Sequence, residues 1–210
     1  NFANPVLADT WTRILAEAEA KSGREAQIEA ARDAFYRGFV AEKIAAFLDT
    51  AEVMDASGTR HKGVLSADDM AGYRAHTEAP LTHDYHGWTV AKCGPWTQGP
   101  VFLQALAILD SMDLGAMDPL GTDFVHTVTE AQKLAFADRE VYYGDPDFAP
   151  VPMEALLSAQ YNTARRALIG AQASLDLNPG TIAGFEDQRA RTMALLEALS
   201  PTDQAVYEPT

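Results

Sequence analysis

The sequence predicts a mainly helical α+β chain carrying one small β-hairpin. Apolar residues recur at helical spacing through most of the chain, the pattern of helices with one buried face. Apolar–polar alternation, the period of a strand, holds over one stretch only, from Leu81 to Cys93. Clusters of Gly, Pro, Asp and Asn separate these runs and mark the turns.

Composition supports a packed chain and narrows its partners. At 210 residues, 47% hydrophobic and 22% charged, it can bury a sizeable core and does not read as disordered. Thirty acidic residues against 16 Lys and Arg give a net charge of −14, which argues against nucleic acid or an anionic membrane as partner. The single Cys93 excludes an internal disulfide and a cysteine-based zinc cluster. No apolar run reaches the roughly 18 residues of a membrane span. The first residue is Asn1, with no basic-then-apolar leader after it, as expected of a subunit or an excised piece. Periplasmic, extracellular and cytoplasmic placements are all compatible with it.

The first third is helical. Leu7, Trp11, Ile14 and Leu15 fall on one face of a helix expected from about Ala8, and Gly23 interrupts it. Ile28, Ala31, Phe35 and Phe39 continue the stripe, and Phe39, Val40, Ile44, Phe47 and Leu48 form another. Gly38 either breaks these into two helices or marks a close packing contact. Asp55 to Gly58 reads as a polar loop. Ser66 followed three residues later by Asp69 reads as a helix cap, with Met70 and Tyr73 on the short helix behind it. Leu81, His83 and Tyr85 then alternate with polar positions, His86-Gly87 turns, and Trp88 and Val90 resume the alternation.

Gly94 to Pro100 is a loop, followed by a helix with Val101, Ala105, Ile108, Leu109 and Met112 on its apolar face and Pro100 near its first turn. Asp118 to Gly121 turns. A long helix is expected from Asp123 to Tyr143, capped by Thr122, with Phe124, Val128, Ala131, Leu134 and Ala135 inward. Gly144 to Asp147 ends it. Further helices are expected from Met153 to Ile169, with a break near Ala159, and from Phe185 to Leu199. Asn178-Pro179-Gly180 reads as a turn between them, and residues 201–210 as an exposed tail.

No residue set in this pattern makes a persuasive catalytic centre. None of His61, His76, His83, His86 and His126 pairs at i, i+4, and His83 and His86 read as polar residues beside a turn, so no metal site is expected. Asp145 and Asp147 flank Pro146 and suit a backbone-bonding turn better than an acid–base pair. Asp138 and Arg139 are adjacent on a helix and so cannot pair locally. Each either anchors a neighbouring segment or sits on a solvated face. Cys93 reads as a half-buried small hydrophobe, and Ser66 as a cap. Gly-x-Ser-x-Gly, Walker and Gly-x-Gly-x-x-Gly motifs are absent.

Several blocks, in order, resemble the γ-glutamyltransferase family. Phe35-Tyr36-Arg37-Gly38 with Ala41 to Ile44 resembles its Phe-Tyr-x-Gly element. Gly63 to Tyr73 resembles a Gly-hydrophobic-hydrophobic-Thr/Ser lead into an Asp-Leu-x-x-Tyr helix. Pro80-Leu81 with Asp84 to Val90 resembles the family's strand segment, and Leu106 to Leu109 its Leu-x-Ile-Leu helix. The most specific blocks are Glu130 to Arg139 and Gly144 to Phe148, and together the match runs from about residue 33 to 168.

The resemblance implies an N-terminal-nucleophile hydrolase whose complete fold is an αββα sandwich. Its precursor cuts itself into a large and a small subunit. The new N-terminal Thr of the small subunit attacks a γ-glutamyl amide such as glutathione, with its own α-amine as base. The acyl group passes to water or an amine, and no cofactor is implied. The matched blocks belong to the C-terminal half of the large subunit. Residues 1–210 are therefore expected to form one mostly helical fragment, inactive alone, with no catalytic residue of its own and substrate-binding residues unassigned. Its expected partners are the rest of its precursor, which carries the nucleophilic Thr, and a small γ-glutamyl substrate. Where the family has Pro-Pro-Ser-Ser-Gly-Gly, this chain has Pro95-Trp96-Thr97-Gln98-Gly99-Pro100, which suits a hydrolase or acylase of different specificity. The competing expectation is a free-standing acidic helical interaction module without catalysis.

Overall fold

The computed structural model describes residues 3–198. Contacts divide it into two units, one reaching to His76 and one starting at Thr77.

The first unit holds α1 (Pro5–Glu19), α2 (Arg24–Tyr36), α3 (Phe39–Thr50), the strands β1 (Val53–Met54) and β2 (Arg60–His61), and α4 (Ala67–Gly72). The α1 helix starts three residues before the predicted Ala8, because the Asn4 side chain accepts from the Leu7 N–H and Pro5 occupies the first turn. Both readings of Gly38 hold. It precedes α3 as its N-cap, and a Cβ there would lie 3.1 Å from the Ala34 backbone. Ile14, Ala18, Ala34, Ala41 and Met70 are buried, while Leu7, Trp11 and Leu15 from the predicted stripe stay exposed. Asp55 to Gly58, read as a loop, is the turn of a second antiparallel pair, with the Asp55 N–H donating to Thr59 O. Strands of two residues are too short to show alternation. The Ser66–Asp69 capping box forms as predicted.

The second unit opens on the predicted hairpin, β3 (Leu81–Tyr85) and β4 (Trp88–Lys92), paired Leu81 to Lys92 and Tyr85 to Trp88. His86 and Gly87 take φ of 48° and 86°, the left-handed pair that a two-residue hairpin turn requires. Leu81, His83 and Tyr85 are half-buried, and Thr82 and Asp84 between them are exposed. Then follow α5 (Gly99–Leu109), α6 (Thr122–Tyr142), α7 (Met153–Leu156), α8 (Ala159–Arg166) and α9 (Glu186–Ala198).

Val101, Ala105, Ile108 and Leu109 of α5 pack against Ala131, Leu134 and Ala135 of α6. Leu103, Gln104 and Ala107 are buried as well, so α5 is enclosed beyond the single apolar face predicted. A second cluster joins Val141, Tyr142, Leu156 and Ile182. Two local expectations are corrected, at Thr122 and at Cys93, and the break expected near Ala159 is present. Thr122 is the first residue of α6 and not its cap; Gly121 holds that place with no side-chain bond. The break in the 153–169 helix falls at Leu157–Ser158, where the Ser158 hydroxyl accepts from the Tyr161 N–H. Cys93 is exposed rather than half-buried. The tail expected at 201–210 lies outside the described residues.

Candidate functional site: a buried polar cradle

The long α6 helix carries a row of polar side chains, and the irregular chain between α8 and α9 lies along it. His126 Nε2 lies 2.8 Å from Gly170 O. Lys133 Nζ donates to Ser174 O, and Glu130 accepts from both Lys133 and the Ser174 N–H. The hydrogen bond from Lys133 holds the Glu130 carboxyl below its usual range.

At the centre, Asp138 is fully buried and Arg165 of α8 is 3% exposed. Arg165 Nε donates to Asp138 Oδ2 at 3.1 Å, and Gln104 Nε2 from α5 donates to the same oxygen at 2.6 Å. The other oxygen, Oδ1, accepts from the Gly180 N–H at 2.7 Å. Burial pushes the Asp138 carboxyl above its usual range, against the pull of Arg165, the Gly180 N–H and Gln104. Burial also pushes the Tyr161 hydroxyl strongly up, reinforced by the Asp138 charge.

Arg165, with Tyr142 and Arg189, also grips three successive carbonyls. Arg165 Nη2 donates to Asn178 O at 2.5 Å, Arg189 Nε to Pro179 O at 3.2 Å, and Tyr142 Oη to Gly180 O at 2.7 Å. Asn178-Pro179-Gly180, expected as a turn, is thus a stretch of backbone held in a cradle by α6, α8 and α9. Pro179 is buried and Gly180 half-buried, and a carbonyl there left without a partner would cost a hydrogen bond. Gly180 has to be glycine at its present spacing: a Cβ would lie 2.1 Å from Tyr161 Oη. With both oxygens taken by donors and no exposed surface, Asp138 is an anchor and not an acid–base group.

The remaining candidates separate. Asp138 binds neighbouring segments, whereas Arg139 stays on its own helix, paired with Glu140 and lying against the Phe136 ring. Asp145 Oδ1 accepts from the Asp147 N–H at 3.0 Å, the backbone-bonding turn foreseen for that pair. His83 and His86 sit on β3 and in its turn, and among the described residues no three His, Cys, Asp or Glu side chains converge as a metal site would need. Trp96 tips a braced loop: its indole N–H donates to Glu78 at 2.8 Å. Thr97 Oγ1 donates to Gly94 O and accepts from the Gly99 N–H. Gln104, Tyr142, Arg165 and Arg189 were not singled out from the sequence. Only Gln104 carries a signal, as a long amide inside the apolar run Val101 to Leu109.

The sequence profile of the family described as Gamma-glutamyltranspeptidase matches residues 1–196. The chain belongs to the γ-glutamyltranspeptidase family. Relatives in that family are named as hydrolases and acylases, and the block from Glu130 to Arg139 supplies Asp138 to the cradle. The chain is 30% identical over 187 residues to the "Glutathione hydrolase proenzyme" of Escherichia coli, covering 87% of this chain and 30% of that protein. It is 35% identical over 123 residues to the "Acylase ACY 1 proenzyme" of Pseudomonas sp. (strain V22), covering 58% and 22%. A solved structure titled "Structure of LmbA2991HD" superposes with TM-score 0.74 at 51% identity, over 84% of this chain and 30% of that one. The Helicobacter pylori gamma-glutamyltranspeptidase crystal structure shares the fold over the whole chain at TM-score 0.62 and 23% identity, and this chain covers 48% of it. This γ-glutamyltranspeptidase-family chain therefore spans less than a third of the length of the curated relatives it matches.

Proposed function

We propose that this chain serves as part of the large subunit of a γ-glutamyltranspeptidase-like N-terminal-nucleophile enzyme, which cleaves γ-glutamyl amides and passes the acyl group to water or an amine. The observation that carries this reading is the family match across residues 1–196, set against relatives named as proenzymes of which the matched stretch covers less than a third. In this reading the small subunit, released by self-cleavage, brings the Thr whose hydroxyl attacks the amide carbonyl. Its α-amine takes the proton and an acyl-enzyme forms, as in other nucleophile–base pairs. The present chain supplies scaffold: α5 and α6 form a helical layer, and the β3–β4 hairpin lies against α5. One hairpin face, with Thr82, Asp84 and Thr89, is exposed. A helical layer with a strand layer on it is half of an αββα sandwich, which supports that architecture for the whole enzyme.

The Trp96–Glu78 loop supports a donor other than glutathione. It sets an indole where the family pattern has its second Pro, and the long amide of Gln98 where that pattern has a small hydroxyl. Identity to both glutathione hydrolase and acylase relatives fits either outcome of that choice.

The test compares the 210-residue chain with its full precursor, using a γ-glutamyl anilide and an aromatic acyl anilide as donors. The precursor should release amine and the isolated chain should not. Turnover by the isolated chain would sink the claim that its nucleophile lies elsewhere. A coding sequence that stops at Thr210 would favour the competing reading, an acidic helical interaction module.

A further inference from the structure

The α1 helix carries more apolar surface than its own unit uses. Leu7, Trp11 and Leu15 recur at i, i+4 and i+8 and so share one face of the helix. All three are more than half exposed, while Ile14 and Ala18 at the edge of that face are buried. The face is also prepared for burial. Its flanking hydroxyls are bonded to their own helix, Thr10 Oγ1 donating to Val6 O at 3.0 Å and Thr12 Oγ1 to Ala8 O at 2.9 Å. Arg13 and Glu17 pair with each other at 3.0 Å, on another side of the helix. A surface laid on Leu7, Trp11 and Leu15 would leave those hydroxyls and that ion pair satisfied. The unit has use for such a surface. Among its described residues the buried apolar side chains are Ile14, Ala18, Ala34, Ala41 and Met70, three of them alanines. A unit of about 70–80 residues needs more core than that to hold its own fold.

We propose that the face of α1 formed by Leu7, Trp11 and Leu15 is a docking surface for the part of the parent enzyme outside this chain, which covers it with an apolar face of its own. This rests on the function proposed above, which supplies the larger parent. The size of the patch selects this occupant over a second copy. Three large side chains exposed by half present about 300 Å². Two copies meeting face to face would bury about 600 Å², below the roughly 1,200 Å² of a specific stable interface. A segment of the same precursor needs less area, because the tether raises its concentration at the face. Such surface is in ample supply: the matched stretch covers 30% of the Escherichia coli relative and 22% of the acylase. Most of a protein of that kind therefore lies outside the region this chain matches.

The test is hydroxyl-radical footprinting of the 210-residue chain and of the full precursor, read by mass spectrometry, with the buried Ile14 as reference for Trp11. Docking takes Trp11 from 53% exposed to below about 10%, so its oxidation should slow about fivefold in the precursor. Leu15→Glu, which puts a charge on the face, should lower the thermal midpoint of the precursor more than that of the isolated chain. Equal oxidation of Trp11 in the two proteins would overturn the proposal. So would protection of Trp11 in the isolated chain at a dilution where it sediments as a monomer, since this chain would then cover the face itself. Protection in the isolated chain that grows with concentration, alongside a dimer in sedimentation, would overturn it too, with a second copy as the occupant. Failure of the enzyme reading looks different. A precursor that protects Trp11 but releases no amine from either anilide keeps the docking surface and refutes the catalytic reading. A precursor that turns over with Trp11 unprotected does the reverse.

Discussion

The two units of this chain use helices of similar length in opposite ways. In the second unit, eight residues of α5 are buried, and α6 buries Glu130 and Asp138 among its apolar residues. In the first unit α1, a longer helix than α5, buries only Ile14 and Ala18, while Val6, Leu7, Trp11 and Leu15 are more than half exposed. Every buried polar or charged residue named in the core, from Gln104 to Arg165, belongs to the second unit. The difference teaches that apolar spacing predicts a helix well and its burial poorly. Burial needs a second surface, and in the first unit the described residues supply one for only Ile14 of the α1 stripe.

The strongest way to break the contrast is to remove the ion pair at its centre. Asp138→Ala leaves Arg165 charged and buried, which should cost about 3–5 kcal/mol. Urea unfolding of the 210-residue chain, followed by circular dichroism, measures the loss. Replacing both partners, Asp138→Leu with Arg165→Met, should recover part of it, because no buried charge is then left without its partner. A single substitution costing under 1 kcal/mol would mean that the cradle does not hold the second unit together.

A second measurement sharpens the contrast without changing a residue. Hydrogen exchange should show the amides of α5 and α6 opening only with the whole second unit. Those of α1 and α2 should open about tenfold more often or faster still, which corresponds to about 1.4 kcal/mol or more of local stability. Equal protection in the two units would show that exposed apolar residues on α1 are no guide to its stability.

How much of this was legible follows from the same asymmetry. Hairpin, capping box, the Asp145 turn and the helices through Ala198 were readable because each rests on local chemistry: His86-Gly87, Ser66 with Asp69, and apolar residues at fixed spacing. The cradle was not readable. Its members, Gln104, Asp138, Arg165, Gly180 and Arg189, lie on separate elements, with pair separations from 10 to 42 residues. A residue string does not show that separate carboxylate, guanidinium and peptide groups meet in one buried place. Asp138 alone was half-legible, as an anchor without a partner. The short β1–β2 pair was illegible for a different reason, since two-residue strands carry no period.

The glycine at the heart of the cradle gives a smaller effect. Gly180→Ala places a methyl 2.1 Å from Tyr161 Oη, so the phenol must move, at about 1–3 kcal/mol for overpacking. Tyr161→Phe in the same chain removes the atom that clashes and should return part of the loss. A neutral Gly180→Ala would mean that the Tyr161 ring yields freely, and that the tripeptide is held by its hydrogen bonds alone.

The smallest effect separates the units by the sign of their response to pH. In the first unit, hydrogen bonds from the Ser66 hydroxyl and N–H hold the Asp69 carboxyl below its usual value of 3.8. A carboxyl depressed in the folded state adds stability that is present above pH 3.8 and lost as the pH falls through its folded value. In the second unit, burial raises Asp138 above 3.8, so between that pH and its folded value the folded chain holds the extra proton. Its share of stability is therefore greatest in acid and falls as the pH rises through that window. Unfolding of wild type and Asp69→Asn across the acid range should show the variant less stable near neutrality, with the gap closing below pH 3.8. The same series with Asp138→Asn should show a pH dependence of opposite sign, starting above 3.8. If both variants diverged from wild type in the same direction with pH, the Asp138 carboxyl would be governed by Arg165 and its other donors rather than by burial. The contrast between an exposed cap and a buried anchor would then rest on geometry without electrostatics.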